Sequence, residues 1–134
     1  MSTFNPSFVT GLLEGAGSFT YSRGRSQLTL VFALRMSGEN RPLLERIRRF
    51  FRDAGRIYQR ADGGSCLYRI TRPNELLRLV EHLDTHPLVG DKRRLYEIWR
   101  ELVMERATHQ GSRPTPEQLS LLARLTAARG QKTA

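Results

Sequence analysis

Arginine supplies most of the binding chemistry in this chain. Of its 22 lysine and arginine residues only Lys92 and Lys132 are lysine, and against 13 acidic residues they leave a formal charge of +9. A guanidinium pairs bidentately with phosphate and with the major-groove edge of guanine. A sequence pI near 10.9 therefore suits a polyanionic partner, nucleic acid first. GC-rich coding would account for the ratio of Arg to Lys, but not for the net charge. Other chemistry is sparse. The single cysteine, Cys66, excludes an internal disulfide and a Cys-based zinc site. His82 and His86 flank Asp84 without a third ligand at regular spacing, so surface positions are expected for them. No apolar run could span a membrane and no signal peptide is visible, so a soluble, intracellular (cytoplasmic) protein is expected.

The length of 134 residues suits one domain with a real core. Asn5 caps a first helix that Pro6 starts, with Phe8, Val9, Leu12 and Leu13 at helical spacing. Gly11 and Gly15 lie four apart and leave a side-chain-free face on it. Gly15 and Gly17 are expected to end the helix, and strand alternation begins at Ser18. A turn at residues 22–26 leads to a second strand. There Leu28, Leu30, Phe32, Leu34 and Met36 take the core parity, and Gln27, Thr29, Val31, Ala33 and Arg35 the other.

Asn40 is expected to cap a second helix reaching about Asp53, with Leu43, Leu44, Ile47, Phe50 and Phe51 inward. A hairpin follows: strand 56–60, loop 61–64 and return strand 65–71. Ile57 and Ile70 face inward, while Arg56, Tyr58 and Arg60 share the outward parity with Arg69. Pro73 opens a third helix. A loop at residues 87–92 precedes a long amphipathic helix to about Thr108. Gln110–Pro114 reads as a linker, Thr115 caps a last helix with Leu119, Leu122 and Leu125, and residues 129–134 read as a disordered tail. The division expected is a domain over 1–109 and an appended linker, helix and tail over 110–134.

The run Val9-Thr10-Gly11-Leu12-Leu13-Glu14-Gly15-Ala16-Gly17-Ser18-Phe19 resembles the signature of the LAGLIDADG homing endonucleases. The αββαββα order of the elements is that of one unit of this family, and there is no internal repeat. The resemblance implies an α+β fold, with a four-stranded antiparallel sheet forming a DNA-binding saddle and helices on its other face. It also implies a homodimer joined through the first helix at Phe8, Gly11, Leu12 and Gly15, with Leu13 packing nearby. The partner is then double-stranded DNA carrying a near-palindromic site, read from the sheet by Ser18, Thr20, Ser22, Gln27, Thr29, Arg35, Arg56, Tyr58, Arg60 and Arg69. Arg23 and Arg25 in the turn reach further out.

For catalysis, the resemblance implies Mg²⁺-dependent phosphodiester cleavage. The acid that ligates the metal falls on Ala16, whose methyl cannot do so. The Gly15 carbonyl matches a backbone metal contact. Glu14, two residues earlier and turned about 200° away, is the remaining acid of the motif. Lys92, in the loop before the last helix of the unit, falls on a basic residue near the scissile phosphates. The expectation is a DNA-binding dimer with absent or weakened nuclease activity. A transcriptional regulator or an RNA-binding intron maturase on the same fold remain alternatives, as does an αβ protein–protein module with incidental charge.

Overall fold

A computed structural model describes residues 4–109 and 113–131. The elements run α1 Pro6–Ala16, β1 Gly17–Arg23, β2 Leu28–Ser37, a 3-10 turn Gly38–Asn40, α2 Arg41–Phe50, β3 Arg56–Gln59, β4 Ser65–Ile70, α3 Pro73–Thr85, α4 Lys92–Thr108 and α5 Pro116–Gln131. The strands form one antiparallel sheet in the order β1-β2-β4-β3. This is the αββαββα order, completed at α3, with two further helices, α4 and α5, after it.

Alternation decides which sheet face is covered. Phe19, Leu28, Leu30, Phe32, Leu34, Cys66, Tyr68 and Ile70 are buried under the helices. Phe19 meets Tyr96 and Trp99 of α4 with ring centroids 5.1 Å apart in each case. The Trp99 indole N–H donates to the Thr20 carbonyl at 2.9 Å, so the largest core side chain has its polar atom satisfied. Tyr68 likewise donates to the Ala54 carbonyl at 2.7 Å.

Several local expectations change in three dimensions. α1 continues through Gly15 to Ala16. Only Gly17 ends it, in an extended conformation with its N–H on the Leu13 carbonyl. A Cβ on Gly17 would lie 2.8 Å from that carbonyl oxygen, so the helix-to-strand switch is closed to other residues. Asn5 caps α1 through Ser7 N–H at 2.8 Å, but Asn40 makes no such bond at α2 and donates to Ser37 Oγ instead. α2 stops at Phe50 because the chain reverses through Arg52, Asp53 and Gly55, all with positive φ. Leu13 is fully buried and belongs to the core, not to an exposed seam.

The C-terminal segment also differs. α5 packs on α4 through Leu121, Leu122 and Leu125, while Leu119 stays 40% exposed. Thr115 and Gln118 form a reciprocal capping box at its start. Arg129, expected in a tail, lies within the helix. Residues 110–112 of the expected linker and 132–134 of the expected tail lie outside the described residues.

His82, expected at the surface, is 8% exposed and lies edge-on to Phe50 and Phe51. The Thr10 hydroxyl donates to the His86 carbonyl at 2.8 Å, which leaves its oxygen to accept from His82 Nε2 at 2.9 Å. This contact ties α1 to the end of α3. Burial, then the neighbouring His86, lowers the His82 pKa to about 4 from an ordinary 6.5. The unfolded chain therefore binds a proton between these values that the folded chain does not. The stability contributed is complete above about pH 6.5 and is lost as pH falls towards 4, by about 3 kcal/mol at most. Urea unfolding at pH 7 and pH 4.5 should show that His82→Gln flattens this dependence; an equally steep loss in the variant would exclude His82 as its source.

Candidate nucleic-acid interface

The end of α1 and the start of α4 are braced by two oppositely charged side chains. Glu14 Oε1 accepts from the backbone N–H groups of Val89 and Gly90 at 2.8 and 3.0 Å. Gly90 is the residue that permits this approach, since a Cβ there would lie 2.9 Å from Glu14 Oε2. Lys92, 9% exposed, donates from Nζ to the Gly17 carbonyl at 2.6 Å and the Leu13 carbonyl at 3.4 Å. An ammonium at the carbonyl end of α1 is favoured by the helix dipole. The carboxylate of Glu14 satisfies amides just ahead of α4. Glu14 thus holds the loop that leads into Lys92, which the structure places as the first residue of α4 and not in the loop, and Lys92 holds the turn that follows Ala16.

Removing the carboxylate leaves two amides without their partner. Glu14→Ala should cost about 1–2 kcal/mol in urea unfolding, with faster hydrogen exchange at Val89 and Gly90. Unchanged exchange at those amides would mean that the loop holds itself.

Ala16 is exposed beside this brace. Its methyl offers no ligand and the Glu14 carboxylate is engaged on the loop. Among the described residues no three His, Cys, Asp or Glu side chains gather where they could hold a metal ion. The residues present do not fit a divalent metal held by carboxylates.

On α1 itself, Phe8 is 48% exposed, Leu12 half-buried, and Gly11 and Gly15 exposed with open space where a Cβ would stand. These four residues, at helical spacing, share a largely exposed face of α1, on which Leu12 packs partly against the core and the Phe8 ring lies 5.6 Å from that of Phe4.

The sheet face opposite the helices carries the expected outward residues. Arg56 pairs with Arg69 across β3 and β4, and Arg69 with Ala33 across β4 and β2. One step along, Tyr58, Leu67 and Arg35 line up across the same strands. Leu67 was legible from the alternation of Cys66, Tyr68 and Ile70, although no polar group drew attention to it. Ser22, Thr29, Arg56, Tyr58 and Arg69 border one open concavity of about 520 Å³, joined by Arg48 and Arg72 from the ends of α2 and β4. Acidic groups at its rim are already engaged: Glu75 accepts from Gly55 N–H at 3.1 Å, and Asp53 faces Arg48 at 3.7 Å.

Other candidates lie elsewhere. Ser18 and Arg35 are exposed on the part of the face beyond this concavity, and Arg23 and Arg25 on the β1–β2 turn. Gln27 borders a different hollow, with Leu28, Pro73 and Val103. Arg60 is exposed and pairs with Asp62 at 3.0 Å, an ion pair that solvent screens. Thr20 is not open: its hydroxyl accepts from the Arg129 guanidinium of α5. Its cross-strand neighbour Val31 is only 6% exposed despite its outward parity.

The same architecture recurs in solved structures. The LAGLIDADG meganuclease I-AabMI bound to uncleaved DNA superposes with a TM-score of 0.79 at 29% identity, over 91% of this chain and 43% of that one. I-CpaMI bound to uncleaved DNA gives 0.75 at 25% identity, over 90% and 42%. I-SmaMI, bound to an uncleaved DNA target in the presence of calcium ions, gives 0.78 at 22% identity, over 92% and 44%. The chain thus spans less than half the length of these structures. Comparison with curated proteins finds no match. The family model of the LAGLIDADG endonucleases matches residues 9–103, through both the glycine-bearing helix and the braced loop, and the chain belongs to that family.

Proposed function

We propose that this protein is a site-specific double-stranded DNA-binding homodimer in which metal-dependent cleavage is silenced at Ala16. The observation that carries the reading is the arginine-bordered concavity on the uncovered sheet face. A curved antiparallel ribbon can enter the major groove, where Arg56 and Arg69 would pair with guanine edges or phosphates and Tyr58, Ser22 and Thr29 would add shape and hydrogen bonds. The +9 charge supports attraction to the duplex.

One unit offers a single saddle. The largely exposed face of Phe8, Gly11, Leu12 and Gly15 allows two copies of α1 to approach closely, doubling the saddle across a two-fold axis and matching a near-palindromic site. Solved relatives more than twice as long as this chain support a need for a second unit. The Mg²⁺ of the family has no fitting side chains here, and no chemical step is assigned to it. Lys92 and Glu14 act in this reading as positioning residues at the end of α1.

Selection from a randomised duplex library at near-physiological salt, with Ca²⁺ present, tests the proposal. Enrichment of one long two-fold-symmetric site is expected, and that site should stay intact when Mg²⁺ is added. Binding without enrichment would reduce the interaction to charge alone and overturn the reading.

A further inference from the structure

β1 is an edge strand of the sheet, and α5, packed on α4, reaches it through two side-chain hydrogen bonds. The Tyr21 hydroxyl meets Thr126 Oγ1 at 2.9 Å. One turn further on, the Arg129 guanidinium donates to Thr20 Oγ1, a group of the outer sheet face. The other described basic side chain of this helix, Arg124, instead pairs with Glu101 of α4 at 3.8 Å. Arg129 is exposed, and among the described residues its guanidinium meets a neutral hydroxyl and no carboxylate. Thr20 in turn presents its hydroxyl to the helix and not to the open face.

We propose that α5 is part of the nucleic-acid interface and that Arg129, oriented by Thr20, makes the phosphate contact at the β1 edge of the saddle. This inference rests on the DNA-binding reading above. A hydroxyl holds the guanidinium over the edge without neutralising it, so its remaining N–H groups are available to an anion in a set direction. Arg129 replaces Thr20 as the group that this row of the face offers to DNA. A phosphate contact fixes register and adds affinity irrespective of base sequence.

The test is the salt dependence of binding to a site selected with the wild-type protein. Each phosphate contact contributes a slope of about 0.9 in log K against log salt, so Arg129→Ala should flatten the slope by about 1.8 for two subunits. Arg129→Lys should keep most of the slope, and the sequence preference should be unchanged in both. Arg124→Ala serves as the control on the same helix and should leave the slope near wild type. Thr20→Val should weaken binding while keeping the slope. Circular dichroism and thermal unfolding confirm that each variant is folded. An unchanged slope in Arg129→Ala would overturn the proposal, as would an equal loss in Arg124→Ala. If the wild-type protein selects no site, the DNA-binding reading itself fails. If it selects one and Arg129→Ala binds it as the wild type does, only the role of α5 fails.

Discussion

On the proposed reading, Ala16→Asp should cut the DNA site selected with the wild-type protein, and should do so only when Mg²⁺ is supplied. The substitution adds an oxygen ligand at the exposed end of α1, where Mg²⁺ otherwise finds a methyl group and backbone carbonyls. It disturbs little packing, since Ala16 is not part of the core. A carboxylate at the C-terminal end of a helix does oppose the dipole, by about 0.3–1 kcal/mol, so a small loss of stability without metal is expected alongside the gained activity. Lys92, fixed by the carbonyls on either side of this position, would remain in place. The comparison is made on one selected duplex, with and without Mg²⁺, for wild type and variant. Intact DNA in the presence of a tightly bound Ala16→Asp protein would show that more than one carboxylate is missing, and would overturn the attribution of silence to Ala16.

The second large effect concerns the largely exposed face of α1. A Cβ added at Gly15 meets nothing within 4 Å among the described residues, and the same holds at Gly11. Within a helix, exchanging glycine for a better helix former stabilises by up to about 1 kcal/mol. Judged on the subunit alone, Gly15→Leu should therefore be neutral or stabilising. If two copies of α1 pack through this face, two-fold symmetry inserts the leucine twice into a close contact. Overpacking costs about 1–3 kcal/mol per site, or about 2–6 kcal/mol per dimer. Sedimentation should then report a folded monomer where the wild type is dimeric, with DNA affinity falling by roughly 30-fold or more. A variant that stays dimeric would move the seam elsewhere, and one that fails to fold would assign Gly15 a role within the subunit.

Much of the fold is legible in the sequence because alternation and helical spacing are short-range signals. The ten-residue run from Leu28 declares its buried parity residue by residue, and Leu28, Leu30, Phe32 and Leu34 are all buried accordingly. The parity of Arg56, Tyr58 and Arg69 follows from the same rule. Helix ends were less legible. Asn40 has the type of a cap without its hydrogen bond, and α2 ends early because Arg52 and Asp53 adopt left-handed backbone that no local preference required.

By itself, then, the sequence determined the αββαββα order, the cationic outer face, the glycine face of α1 and the missing acid at position 16. The first three are matters of residue type and spacing along the chain, and the missing acid is what the resemblance of residues 9–19 to the family signature implies. The tertiary structure alone decided what the remaining polar groups do. Glu14 meets amides 75 and 76 residues away, Lys92 reaches back 75 and 79 residues to the end of α1, Thr10 and His82 are 72 apart, and Arg129 and Thr20 are 109 apart. A carboxylate or an ammonium carries no mark of its partner in its local sequence. Its role is set by which backbone groups packing leaves unsatisfied beside it, because a buried donor or acceptor must be paired and the nearest available charge takes that position.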